Sequence, residues 1–225
     1  MSDTMTTRRG ALKAVACAAG ALLTASTSAL AQQQRRPTVA DIMGPFYPIV
    51  RPLDEDADLT RVAGRPGVAQ GRVLDLRGRV LDTLGHPVAD ARIEMWQANT
   101  HGRYDHASDT NVTAPLDPAF QGFGRQLTDT QGRFRFLTVI PGAYPVPDPE
   151  SPWLRTRHIH FDIRGRHDRL VTQIYFAGEP LNETDLLYQA LTPADRETVT
   201  LPLRHAAAGA PAPAIGEWTV VLASG

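Results

Sequence analysis

In Arg157-His158-Ile159-His160-Phe161-Asp162-Ile163, polar and apolar residues alternate without a break from His158 on. In a β-strand successive side chains point to opposite faces, so His158, His160 and Asp162 share one face while Ile159, Phe161 and Ile163 share the other. The apolar face belongs to a core, which leaves the histidine face free for another purpose. Two imidazoles two residues apart leave room for one metal ion between their nitrogens. On these residues alone, two histidines hydrogen-bonded on a polar face is an equally good reading.

Outward from this strand the same pattern recurs in short stretches bounded by Gly, Pro, Asn and Asp, and helical periodicity is scarce. Gly78 to Asp82 reads as a strand, Leu84-Gly85-His86-Pro87 as a turn, and Ala91 to Ala98 as the returning strand. Gly124 to Thr128 and Arg133 to Val139, joined by Asp129-Thr130-Gln131-Gly132, read as a second hairpin. Further strands are expected over 158–164, 170–176, 197–203 and 218–223, with a helical turn or two over 186–191 and 194–197. The Ala/Pro stretch 206–215 is expected to be a loop. Strands at this spacing make an all-β fold, a two-sheet β-sandwich over residues 71–225 preceded by an extended, Pro-punctuated arm over 32–70.

The first 31 residues are set apart. Thr6-Thr7-Arg8-Arg9-Gly10-Ala11-Leu12-Lys13 is a twin-arginine start, followed by an Ala/Leu-rich run and by Ala29-Leu30-Ala31, a small-x-small cleavage site. The expectation is a signal peptide over 1–31, export in the folded state, a periplasmic or secreted mature protein, and no stable membrane anchor after cleavage. The only cysteine, Cys17, goes with that segment, so neither a disulfide nor a thiolate metal site is expected afterwards. Losing Arg8, Arg9, Lys13 and Asp3 moves the formal net charge from −1 to about −3, which argues against nucleic acid as a partner.

Two tyrosines sit where the chain leaves a strand: Tyr104 in Gly102-Arg103-Tyr104-Asp105 and Tyr144 in Pro141-Gly142-Ala143-Tyr144-Pro145. Phenolate is a hard anionic ligand that favours iron(III) over zinc, copper(I) or iron(II). Taken singly, each tyrosine is more simply a residue packed at a loop.

Glu94-Met95-Trp96-Gln97-Ala98-Asn99, Gly102-Arg103-Tyr104, Pro115-Leu116-Asp117-Pro118, the 141–145 loop, Arg155-x-x-His158-Ile159-His160-Phe161 and Thr172-Gln173-Ile174-Tyr175-Phe176 occur in that order. Together they resemble the intradiol ring-cleavage dioxygenases, most of all the iron-binding β subunit type, from Gly44-Pro45-Phe46-Tyr47 to Pro180. The resemblance implies one non-haem iron(III) per chain held by Tyr104, Tyr144, His158 and His160 with a solvent hydroxide. It implies Tyr144 as the ligand that leaves when substrate chelates, Arg155 and Gln173 on the substrate side, and Tyr47 and Val146 as pocket positions. The implied reaction opens a catechol-type ring with O2 between its two hydroxyl-bearing carbons, giving a muconate-type diacid. A homo-oligomer and a companion subunit are both compatible with it.

One departure concerns the pocket: Val146 stands where the most similar family members carry Trp, so a large aromatic wall is missing. Two rival readings are kept. The strings around Gly78–Ala91, Thr128–Phe136 and Gly142–Tyr144 also resemble transthyretin-like and carboxypeptidase regulatory sandwiches, which bind without redox chemistry; they leave the His158/His160 strand unexplained. A zinc or copper site on the histidine pair needs a third ligand, for which His86, His101, His106, His167 and His205 are available but none has a local pattern.

Overall fold

A computed structural model of the chain describes residues 34–52, 54–146, 152–205 and 212–224. The proposed signal segment lies outside the described residues, and no described helix is long and apolar enough to cross a membrane.

Among the described residues eleven strands occur in chain order: β1 (Val73–Leu81), β2 (Arg92–Trp96), β3 (Phe123–Leu127), β4 (Arg133–Val139), β5 (Tyr144–Val146), β6 (Trp153–Arg155), β7 (His158–Arg164), β8 (Arg169–Phe176), β9 (Thr200–Leu201), β10 (Leu203–Arg204) and β11 (Ala214–Val221). One sheet has the order β10-β11-β1-β4, the second β3-β2-β7-β8-β9, and β5 and β6 form a separate ribbon. Period-2 alternation sends Leu74, Leu76 and Val80 of β1 and Phe134 and Phe136 of β4 inward to meet Ile93 and Met95 of β2 and Ile159, Phe161 and Ile163 of β7. Full burial of each such side chain is worth about 1.5–3 kcal/mol, so this interface is what holds the sheets face to face.

The two-sheet sandwich is as the alternation predicts, but the expected hairpins are not. β1 pairs with β11 and β4, whereas β2 pairs with β3 and β7. Both predicted turns therefore carry the chain from one sheet to the other. The Asp129–Gly132 turn does close, with the Gly132 amide donating to the Asp129 carbonyl at 2.8 Å. Turn chemistry fixes only the reversal of the chain, and the core decides which strand each arm joins.

Two boundaries also move. Residues 197–199, expected as strand, close the helix α2 (Pro193–Val199), whose start is fixed by Pro193 and by the Thr192 hydroxyl accepting from the Asp195 amide. Ala214 and Ile215, expected as loop, begin β11 because they pair in parallel with Leu74 and Asp75. The preceding helix α1 (Leu186–Ala190) matches the expected turn and is capped by Asp185. The arm is tied down along its length: the Asp41 amide donates to the Val171 carbonyl, Asp58 bridges to Leu137, and Leu59 is fully buried.

Candidate metal centre

β7 is the floor of the site. Its apolar face joins the core, and the opposite face of the same sheet presents His158 and His160, with Trp96 and Gln173 directly opposite His160 on the flanking strands and Tyr175 opposite His158. Asp162 continues that face but belongs to another network, receiving hydrogen bonds from Arg164 and Arg169. The arm covers the histidines. Gly44, at φ +73°, passes so close that a Cβ there would stand 3.1 Å from His160 Cε1, so only glycine serves both the backbone conformation and the approach.

Tyr104 comes from a loop and Tyr144 from the start of β5, and Asn99 brings the Tyr104 loop and the loop leading into β5 together. Its carbonyl accepts from the amides of Gly102 (3.0 Å) and Gly142 (2.9 Å), one in each tyrosine loop, while its side chain accepts from the His101 and Arg103 amides. A Cβ on Gly102 would collide with the Ala143 carbonyl, so the two loops touch backbone to backbone. Asp109 then accepts from the Tyr104 amide at 2.6 Å.

The four predicted ligand side chains converge. Ring centroids lie 5.5 Å apart for Tyr104–Tyr144, 5.4 Å for Tyr144–His158, 4.8 Å for His158–His160 and 6.5 Å for Tyr104–His160, a closed circuit of four rings. All four are buried. The Tyr104 hydroxyl and both ring nitrogens of His160 have no hydrogen-bond partner. A buried polar atom without a partner is costly, and the Tyr104 hydroxyl and one His160 nitrogen could share a single missing partner.

Their chemistry suits a hard cation. His158 Nδ1 donates to the Thr156 carbonyl at 2.6 Å, which fixes the tautomer and leaves Nε2 as the lone-pair nitrogen, 3.3 Å from the Tyr144 hydroxyl. Burial first, and then the Arg155 charge, hold both imidazoles well below the usual histidine range, so both are neutral and able to ligate. Burial pushes the Tyr104 and Tyr144 phenols up, for Tyr144 against the opposing pull of Arg155. Two phenolates would cancel most of the charge of a trivalent ion and give the buried anions the partner they otherwise lack. The donor set thus fits iron(III). Among the described residues no group of three or more His, Cys, Asp or Glu is placed to hold a metal. His86 instead bonds Asp82 in its turn and His101 meets Gln70, so neither adds a third nitrogen.

Arg155 stands opposite Tyr144 in the β5–β6 ribbon and is buried. Its Nε donates to Asp185 at 2.9 Å and one Nη to Gln173 Oε1 at 2.6 Å. Burial works against its charge, but Tyr144 and Asp185 outweigh that and raise its pKa. Gln173, expected to line the substrate side, is anchored at both ends, its amide also donating to the Ile42 carbonyl. Tyr47 and Val146 pack against the cluster formed by Trp96, Ala98, Tyr104, Phe123 and Tyr144. The Tyr47 hydroxyl, however, is turned away to Glu94 at 2.7 Å.

Sequence reasoning missed Asp185. This fully buried carboxylate accepts from Arg155 Nε, from the Thr156 amide (2.8 Å) and from the Leu187 and Tyr188 amides. It ties the guanidinium to Thr156, the residue whose carbonyl accepts from His158. Its only local signal is that of a helix N-cap, which says nothing about a partner thirty residues away. Trp96, quoted in a motif but given no role, stacks flat on His160 at 5.0 Å and 7°.

Comparison with known proteins bears on this arrangement. A family model described as Dioxygenase matches residues 42–223. The protocatechuate 3,4-dioxygenase beta chain of Burkholderia cepacia is 47% identical over 148 residues, covering 65% of this chain and 61% of that protein. Hydroxyquinol 1,2-dioxygenase of Rhodococcus opacus is 33% identical over 156 residues, 64% of this chain and 47% of that protein. The chain thus spans roughly half to three fifths of the length of these curated relatives. The dioxygenase domain of a dioxygenase carbohydrate-binding protein fusion from the cellulolytic bacterium Streptomyces sp. SirexAA-E superimposes with a TM-score of 0.61 at 29% identity, covering 84% of this chain and 100% of that one.

Proposed function

The chain belongs to the intradiol dioxygenase family, and from that premise we propose that it opens a catechol-type ring with O2 between the two hydroxyl-bearing carbons, yielding a muconate-type diacid. The observation that carries this reading is the closed circuit of Tyr104, Tyr144, His158 and His160, with a partnerless phenol and a partnerless imidazole inside it. Those four side chains would hold one non-haem iron(III), which supplies Lewis acidity toward the two catechol oxygens and a bound hydroxide.

The protein's own contribution is placement and charge. Tyr144 Oη, beside His158 Nε2, would as the phenolate stabilised by the metal be the oxygen positioned to accept a proton from a substrate hydroxyl. The Arg155 guanidinium, set by Asp185 and Gln173 before substrate arrives, stabilises negative charge as it builds on the ring without having to reorient. Phe46, stacked on Tyr104 at 4.4 Å, and Met43 and Val146 beside it present an apolar wall that keeps water from the ring.

The test is oxygen uptake over a panel of catechols with product identification. Muconate-type products, together with iron near one per chain and a visible absorption band, support the reading; semialdehyde products, or zinc or copper in place of iron, overturn it. One relative is named for protocatechuate and another for hydroxyquinol, so the panel includes both. The first of these is called a beta chain, which favours a companion subunit for this chain as well.

Residues 1–31 are read as a twin-arginine signal peptide and the mature enzyme as periplasmic or secreted, a route that carries folded protein and so suits a chain that takes up its metal first. N-terminal sequencing of the exported fraction is expected to start near residue 32. Recovery of only uncleaved precursor from the cytoplasm would refute export.

A further inference from the structure

We propose that Asp41, on the N-terminal arm, is a positioning residue for ring cleavage: by taking the Tyr175 hydroxyl proton it leaves Gln173 Oε1 to Arg155 alone, and so holds the guanidinium in one orientation toward the iron site. The inference rests on the ring-cleavage reading and on the surroundings of one fully buried tyrosine. Tyr175 lies opposite His158 in the β7–β8 ladder, and its hydroxyl has a single proton with two acceptors in reach, Asp41 Oδ2 at 3.1 Å and Gln173 Oε1 at 3.4 Å. Gln173 Oε1 is also the oxygen to which Arg155 Nη donates at 2.6 Å, while the Tyr175 oxygen stands 3.5 Å from the same Nη.

A carboxylate accepts more strongly than an amide oxygen, and here it is also nearer, so the proton goes to Asp41 and the Tyr175 lone pairs are left facing Arg155. Without that charge the proton would turn to Gln173 Oε1 and compete there with the guanidinium. The arm presents the carboxylate for this task. Asp41 Oδ1 accepts from the Ile42 amide at 2.6 Å, which leaves Oδ2 for Tyr175, and the Ile42 carbonyl accepts from Gln173 Nε2 at 3.0 Å. Two adjacent arm residues thus hold both Gln173 and Tyr175. The arm stays in place without the carboxylate: the Asp41 amide donates to the Val171 carbonyl at 2.9 Å, Thr172 Oγ1 donates to the Val39 carbonyl at 2.7 Å, and Thr38 exchanges two bonds with Val221.

The groups that face Asp41 are Tyr175, Arg155 and Asp185. Burial, reinforced by the Asp185 charge, outweighs the Ile42 amide, Tyr175 and Arg155 and raises the Asp41 carboxyl above its usual range. Proton uptake by Asp41 reverses the Tyr175 hydroxyl, so the hold on Arg155 weakens as the pH falls through that raised value.

The experiment is a double-mutant cycle of Asp41→Asn and Tyr175→Phe on the iron-loaded chain, read by oxygen uptake with catechol and by melting temperature. In Asp41→Asn the amide oxygen stays on the Ile42 amide and the NH2 group meets Tyr175, which turns its proton to Gln173. Because Arg155 acts on charge that builds during the reaction, kcat at neutral pH is expected to fall about tenfold, with KM and iron content little changed. The deficit should shrink toward acid pH, where wild type undergoes the same reversal, and should vanish in the Tyr175→Phe background, where no hydroxyl remains to compete. The melting-temperature shifts of the two single variants should likewise fail to add. An unchanged kcat in Asp41→Asn, a deficit of equal size with and without the Tyr175 hydroxyl, or additive melting shifts would each overturn the inference and leave ring cleavage standing. Should Tyr175→Phe not fold, the Asp41→Asn pH profile decides, since a deficit constant from neutral to acid pH is that of a merely structural residue and overturns it. A wild-type chain that opens no catechol removes the ring-cleavage reading and this inference together.

Discussion

The two halves of the candidate iron site are built in opposite ways. His158 and His160 lie two residues apart on one strand, and the alternation that aims Ile159, Phe161 and Ile163 into the core aims the imidazoles at the site. Tyr104 lies on an irregular loop and Tyr144, forty residues on, opens the short strand β5, and they meet because the Asn99 carbonyl binds one amide from the first loop and one from the loop that leads into β5. Strand geometry gives the first pair its position for nothing beyond folding the sheet. The second pair depends on a few specific hydrogen bonds and on Gly102 and Gly142 letting two backbones touch. Asp185 spans the division, bonding Arg155 opposite Tyr144 and the amide of Thr156, whose carbonyl accepts from His158.

The sharpest break is expected from His160→Ala, which removes a ligand from the rigid half: iron content should fall from near one per chain to near none, while far-UV circular dichroism shows the sheets intact. Near-full iron occupancy would show that the strand pair is not the anchor. Asp185→Ala comes next, since it leaves a buried guanidinium unpaired; a loss of about 3–5 kcal/mol in denaturant unfolding is expected, with Asp185→Asn recovering part of it. Ring-opening rate should fall with the substitution even in protein that remains folded and iron-loaded, because Arg155 is no longer held.

Asn99→Ala probes the loop half. Its carbonyl bonds survive but the side-chain bonds to His101 and Arg103 are lost, for about 1–3 kcal/mol. The phenolate-to-iron absorption band is expected to shift or broaden while iron content changes little, and an unaltered band would show the tyrosine loops are held by other means.

The smallest effect is at the far end of β7. Burial alone would raise Asp162, but hydrogen bonds from Arg169 and Arg164 outweigh it and hold the carboxyl below its usual value. A depressed folded pKa contributes stability above the unfolded value, about 3.9, that is lost as pH falls through the folded one. Asp162→Asn should therefore lower Tm by a few degrees at pH 7, the gap from wild type closing at acid pH and in high salt because both arginines are partly exposed. Iron content should not change, since Asp162 shares the histidine face but not the site.

Much of this was legible in the chain. Period-2 alternation gave β7 to the residue, and the six motifs gave the family and the four rings that converge. Local sequence could not show that both expected hairpins are crossings between sheets, because alternation says which face is apolar and not which sheet will cover it. Nor could it show Asp185, whose local identity is a helix cap and whose role comes from a partner brought in by the fold.

The sequence by itself determined the candidate ligand types and the strand that carries two of them, since side-chain chemistry and a two-residue repeat are properties of short segments. Only the tertiary structure decided that the phenols reach the imidazoles, that Arg155 is held by Asp185, and that Tyr47 turns its hydroxyl to Glu94. Those facts depend on contacts between distant segments, whose distances and pairings exist only once the core has fixed where each sheet and loop must lie.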